Sequence, residues 1–149
     1  MRTWLLDTGP LVAYLDASEP KHAEVSDLVD HFSGKLYTTS AVIGEAMHFL
    51  AAVRHGPRYL AEFVEASGLL VYDLSSAADL AEASRKMEKY SNVPMDFADA
   101  TLVILGERLG VFDTLTLDRR GFSVYRSARG KHFPLVLERP VLLGSRRRR

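Results

Sequence analysis

The chain has 149 residues, 47% hydrophobic and 26% charged, with no cysteine and with 19 basic side chains against 19 acidic ones. A chain near this length buries roughly 68–70% of the surface it exposes when unfolded, enough for one core without disulfides, and the missing thiols exclude a thiolate zinc site and a cysteine nucleophile. The longest apolar runs, such as residues 102–105, fall far short of the ~20 residues of a membrane span, and Asp7 interrupts the first apolar run before it reaches signal-peptide length, so a cytoplasmic protein with no membrane partner is expected.

Short apolar runs alternate with longer stretches of helical period, the pattern of an α/β domain with a mainly parallel sheet. The first strand is expected at residues 3–6 and ends at Asp7. A helix over 21–32 and a strand at 35–38 follow. Residues 40–54 read as a helix with Thr39 or Ser40 as N-cap, and Ala41, Val42, Ala46, Phe49, Leu50 and Val53 mark its apolar stripe. His55-Gly56-Pro57 ends it. A strand at 69–72 precedes a helix over 77–90. A further helix over 96–109, opened after Pro94 and closed by Gly110, leads to a strand at 114–117. Residues 123–126 form a weaker strand, and 133–138 read as either a last strand or an extended strap. No repeat and no linker divides the chain, so residues 1–145 are expected to form a single domain, with the arginine run 146–149 as a disordered basic tail.

The zero net charge is a cancellation. Residues 1–118 carry 9 basic and 18 acidic side chains, whereas residues 119–149 carry 10 basic and 1 acidic. An acidic body joined to a basic carboxy-terminal part can hold metal in one place and a polyanion in another.

Four acids fall where chemistry is expected. Ligands of an open parallel sheet bind at the carboxyl ends of its strands, and there Asp7 follows the first strand and Asp118 the strand at 114–117. Glu45 shares a helix face with Ala41, His48, Phe49 and Ala52, and Asp99 shares one with Leu102, Val103 and Gly106. Turns and helix caps explain Asp7, Asp96, Asp99 and Asp118 taken singly, but capping cannot explain a glutamate more than a turn inside a helix. On one rim such acids repel, and one or more stays protonated unless a cation sits among them; an all-oxygen set suits Mg2+ or Mn2+. Hydroxyls at Thr8, Thr39, Ser40 and Thr116 are candidates to orient carboxylates, water or substrate. Arg119 and Arg120, directly after Asp118, are candidate phosphate contacts together with Arg126 and Arg129.

Other chemistries fit less well. His22, His31, His48, His55 and His132 lack the spacing of a zinc hydrolase, and neither a glycine-rich phosphate loop nor a G-x-S-x-G elbow is present. Asp7-Thr8-Gly9 is also the local signature of aspartic proteases, but one copy amid long helical stretches contradicts that β-rich fold. A phosphatase of the haloacid dehalogenase kind would need a second aspartate where Gly9 stands.

With these residues in place the chain resembles a PIN domain, and more closely the VapC-type toxins of bacterial and archaeal toxin-antitoxin pairs. The matching stretches are Leu5-Leu6-Asp7-Thr8-Gly9-Pro10-Leu11-Val12-Ala13-Tyr14-Leu15-Asp16, Thr39-Ser40-Ala41-Val42-Ile43-Gly44-Glu45, Asp96-Phe97-Ala98-Asp99-Ala100 and Thr116-Leu117-Asp118-Arg119-Arg120-Gly121-Phe122. Their order and spacing span nearly the whole chain. The resemblance implies a three-layer α/β/α sandwich with a mainly parallel central sheet and a Mg2+- or Mn2+-dependent endoribonuclease acting on RNA. It assigns Asp7, Glu45, Asp99 and Asp118 to the catalytic, metal-holding set. Spacing to Gly110 selects Asp99, while Asp96, one turn earlier, is an accessory ligand. Asp113 begins its strand and belongs to the far side; Asp16 lies a helix away from the rim. A homodimer and a cognate antitoxin, bound along an apolar groove near the amino-terminal helices, are implied as partners. The alternative is a PIN-like module that holds RNA or protein without cutting, and the complete acidic set argues against it.

Overall fold

Strand β1 (Thr3–Leu6) has no solvent-facing apolar side chain, since Trp4, Leu5 and Leu6 are all buried, as a strand covered on both faces requires. The computed structural model, which describes residues 1–138, sets β1 inside a four-stranded sheet of order β3-β2-β1-β4 in which every pairing is parallel. Beside it lie β2 (Lys35–Thr39), in the register Leu5↔Tyr37, and β4 (Thr114–Leu115), in the register Leu5↔Thr114. The outer strand next to β2 is β3 (Leu70–Tyr72). Helices α1 (Thr8–Leu15) and α2 (His22–Asp30) connect β1 to β2, and α3 (Ser40–Leu50) and α4 (Gly56–Ser67) connect β2 to β3. Return to the other side of β1 is made through α5 (Ala77–Lys89) and α6 (Phe97–Leu109). The result is a parallel sheet flanked by helices, with α1 packed on α2 and α3, and α5 packed on α6.

Chain direction reverses across the sheet after β3, so β1 and β4 meet at a topological switch point. The crevice outside their carboxyl ends is where such sheets bind ligands. Around it the core is dense. Every side chain of α6 from Ala98 to Gly106 is buried, so this helix is central rather than amphipathic, and the narrow apolar stripe read from its sequence understates it. At the other end of β1, Trp4 stacks on Phe32 with ring centroids 3.8 Å apart.

Two helices form where glycine and proline suggest turns. In Asp7-Thr8-Gly9-Pro10 both breakers fall in the first turn of α1, where the N–H that proline lacks has no helical partner to lose, and the Asp7 side chain caps the helix. Helix α3 ends at Leu50, short of the expected residue 54, and a turn over 51–55 separates it from α4, so His55-Gly56-Pro57 is a start and not the stop expected: His55 takes the left-handed conformation (φ 61°) and Pro57 falls in the first turn of α4. Gly56 packs so closely that a Cβ there would overlap the Leu50 carbonyl oxygen.

The carboxy-terminal part differs from expectation more. Pairing on β4 stops at Leu115 instead of running through residue 117, because the chain turns toward the short helix α7 (Arg119–Phe122), capped by Asp118. No strand forms over 123–126; the chain turns after α7 and makes one antiparallel bridge, Arg126↔His132. Residues 133–138 are the strap rather than a strand, with a single bridge Thr114↔Leu135 and a 3-10 turn at Val136–Glu138. The end of the expected domain at residue 145 and the arginine run 146–149 lie outside the described residues. Among the described residues no helix is long and apolar enough to cross a membrane.

Candidate active site

Asp7 is buried at the switch point and fixed from both sides. One carboxylate oxygen accepts the Thr8 backbone N–H at 2.8 Å and the other accepts the Thr116 hydroxyl at 2.6 Å. Its own N–H donates to the Leu115 carbonyl at 3.0 Å. The same Thr116 hydroxyl oxygen accepts the Asp118 backbone N–H at 2.9 Å, so one side chain joins the two strand-end acids. Asp118 in turn accepts the Gly121 N–H at 3.0 Å, as cap of α7. Thr8 donates its hydroxyl to Glu45 at 2.6 Å, tying α1 to α3. Asp96 and Asp99 form a reciprocal capping box at the start of α6: the Asp99 N–H donates to Asp96 at 2.8 Å and the Asp96 N–H to Asp99 at 3.1 Å.

All five acids line one open cleft of about 930 Å³, together with Gly9, Val12, Phe49, Ala52, Val53, Pro94 and Leu117. Asp16 and Glu19 line it as well. Asp16 is a helix away from Asp7, as the sequence suggests, but α1 is only eight residues long and the cleft runs its length. Among the described residues the lining therefore holds seven carboxylates and no lysine, arginine or histidine.

So much like charge in a recess has consequences for protons. Burial pushes the Asp7 carboxyl up to about 6; the Thr116 and Thr8 hydrogen bonds oppose the rise, and the charges of Asp96 and Glu45 add to it. Burial, then the charges of Asp7 and Asp96, push Asp99 up to about 8. Among the described residues no three of these acids close to ion-gripping distance. Each is drawn instead to a hydroxyl or a helix-cap N–H, as mutually repelling carboxylates would be. The donor set is nonetheless the hard, all-oxygen kind that suits Mg2+ or Mn2+, and its raised carboxyls show more negative charge than the cleft stabilises by itself.

The remaining expected residues divide. Thr8 and Thr116 sit among the acids. Thr39 caps α3 and bonds Thr101 at 2.8 Å beneath them. Ser40 is exposed and outside the cleft, donating to Asp73 at 3.1 Å. Arg119 is ion-paired with Glu138 and shares with Lys21, Thr116 and Leu117 a smaller pocket of about 410 Å³ across Leu117 from the cleft. Arg120 and Arg129 are exposed, and Arg126 turns its guanidinium to the Ser123 and Tyr125 carbonyls. Asp113, just before β4, is not part of the cleft lining.

Sequence reasoning missed Tyr125. It is fully buried, its hydroxyl 3.5 Å from Asp99 and 3.4 Å from the Pro94 carbonyl. A Cβ at position 121 would stand 2.5 Å from the Asp118 carboxylate and 2.7 Å from the Tyr125 hydroxyl, so glycine is what lets these groups approach. Burial and the charges of Asp99 and Asp118 hold the phenol well above its usual range, and it stays a donor. Its only signal in sequence was a tyrosine in a segment that read as a strand.

The family model of the PIN domain matches residues 4–127. Ribonuclease VapC26 of Mycobacterium tuberculosis is 36% identical over 135 residues, covering 89% of this chain and 98% of that protein. The fold is similar to the crystal structure of Mycobacterium tuberculosis VapC20, a sarcin-ricin loop cleaving toxin, with a TM-score of 0.70 at 18% identity over 77% of this chain and 89% of that one. With its parallel sheet, its acids at the switch point and a family match over most of its length, the chain belongs to the PIN domain family, beside a VapC ribonuclease.

Proposed function

We propose that this protein is a divalent-metal-dependent endoribonuclease that hydrolyses RNA phosphodiester bonds at the switch-point cleft, and that it is the toxin of a toxin-antitoxin pair. The observation that carries the reading is the convergence of Asp7, Glu45, Asp96, Asp99 and Asp118 on one cleft that, among the described residues, has no basic side chain in its lining. Asp7, Glu45, Asp99 and Asp118 would hold Mg2+ or Mn2+, with Asp96 as accessory ligand. When bound, such a cation lowers the pKa of water and offsets charge on the phosphate and the leaving oxygen.

The chain's own residues arrange this chemistry. Thr116 holds Asp7 and the Asp118 backbone in one hydrogen-bonded unit, Thr8 aims Glu45, and Tyr125 donates toward Asp99. Arg119 and Arg120, which follow Asp118 in the chain, would hold the phosphate backbone of the RNA; Arg119 would exchange Glu138 for phosphate in doing so. The reading includes a cytoplasmic homodimer kept silent by a cognate antitoxin.

The direct test is Asp7→Asn. Wild-type protein should cleave RNA in Mg2+ or Mn2+ and stop when the cation is chelated, and the variant should be folded and inactive. Undiminished cleavage by the variant would sink the proposal. A wild type that shifts RNA but never turns it over in either metal would favour the binding-module alternative.

A further inference from the structure

One wall of the cleft, formed by α3 and the turn after it, carries Glu45 together with an exposed aromatic ring and small apolar side chains. Phe49 is 54% exposed, yet it lines the cleft. It lies four residues after Glu45 on α3, so the two side chains share a helix face about one turn apart. Ala52 and Val53 extend that face along the cleft wall, and Val12 of α1 also lines it. The His48 ring flanks Phe49 edge-on, with ring centroids 5.6 Å apart.

A ligand that fills this recess needs an anionic group to meet the cation-bearing acids and a flat apolar group one helical turn, ~5.4 Å, away. A nucleotide has this form, its phosphate and base separated by one sugar. Double-stranded RNA hides its bases in the stack, whereas an unpaired strand offers a free face, and base-aromatic stacking tolerates any base. We propose that Phe49 is a stacking platform, a subsite for the unpaired nucleobase next to the scissile phosphate. This assignment rests on the ribonuclease reading and deepens it by naming the side chain that holds the base beside the cut.

The test is a cycle between Phe49 and the base. The probe is an end-labelled single-stranded RNA in which wild-type cleavage maps to one phosphodiester, alongside the same strand with abasic ribose beside that bond. On the intact strand Phe49→Ala should lower kcat/KM about 10- to 100-fold while Phe49→Trp retains activity. On the abasic strand the wild type should itself be slow and Phe49→Ala should cost less than about twofold. Mn2+ affinity, measured by calorimetry without RNA, should be the same in all three proteins. An equal penalty on intact and abasic strands overturns the assignment, as does a Phe49→Ala protein that binds Mn2+ more weakly, since the ring would then support Glu45 instead. Undiminished cleavage by Phe49→Ala, combined with escape from a co-expressed antitoxin, overturns it in favour of a protein occupant. A wild type that cleaves no RNA in Mg2+ or Mn2+ defeats the ribonuclease reading itself.

Discussion

Thr116 uses one hydroxyl twice, donating to Asp7 and accepting from the Asp118 N–H. Thr116→Val preserves shape and removes both bonds, so kcat should fall about 10- to 100-fold with a stability loss of about 1–3 kcal/mol, and Thr116→Ser should recover most of both; steady-state kinetics and denaturant melts read these out. The carboxyls it serves set the pH response. Burial and neighbouring like charge push the Asp7 carboxyl up to about 6 and the Asp99 carboxyl up to about 8, above the usual aspartate range, so the folded state binds protons more readily than the unfolded chain. Their contribution to stability is therefore complete below pH ~4 and is lost as pH rises toward 8. Metal-free wild type should melt at a lower temperature at pH 8 than at pH 5, Asp7→Asn should narrow that gap, and added Mg2+ should raise the melting temperature more at pH 8 than at pH 5. A metal-free melting temperature that rises over this interval would contradict the assignment. Asp7 was legible in sequence because a strand end followed by an acid is a local pattern; Asp118 was picked out by the same pattern although its strand stops at Leu115, because the chain beyond still runs on to the rim before α7 begins. Tyr125 was not, because its role depends on a glycine four residues earlier and on a helix from another part of the chain.

At the start of α6 one pair of residues serves two ends, because Asp96 and Asp99 close a capping box and line the cleft together. Asparagine keeps the cap acceptor and removes the charge. Asp96→Asn should leave the melting temperature in excess Mg2+ within a few degrees of wild type while raising the Mg2+ concentration for half-maximal cleavage several-fold; unchanged metal dependence would make Asp96 a cap alone. A second element-level test lies at the α3-α4 junction. Gly56→Ala brings a methyl group onto the Leu50 carbonyl oxygen and should cost about 2 kcal/mol or more, measured by chemical denaturation. The same junction shows what the sequence hid. Gly-Pro was read as a stop, yet proline at a first helical turn is equally a start, and two helices, α1 and α4, rest on that second meaning. Strands β1, β2 and β3 were visible as short apolar runs between breakers. The segment 123–126 carried the same signal without a neighbouring strand to pair with, and it turns instead.

For the molecule as a whole, the division of charge has a spatial counterpart: among the described residues the charged side chains lining the cleft are all acidic, and Arg119 and Arg120 are not among them. Without a cation the cleft repels the polymer it is proposed to cut. Unpaired RNA should bind about tenfold or more tightly in Ca2+ or Mg2+ than in EDTA at equal ionic strength, measured by anisotropy with Asp118→Asn as the non-cleaving protein, and equal affinity would place binding elsewhere. The parallel sheet and its switch point were legible from the alternation of elements, since connections of that length leave few topologies. The depth of the cleft, and hence the inclusion of Asp16, was not, because it depends on where α1 ends against its neighbours. The stack at the foot of β1 also makes the protein its own optical gauge. Trp4 is the only tryptophan, 3% exposed, stacked on Phe32 and on the strand that leads directly into Asp7, three residues on. Its emission should be blue-shifted and shielded from acrylamide for as long as that strand is in place. An inactive variant that keeps this light has lost its chemistry, and one that reddens has lost its fold.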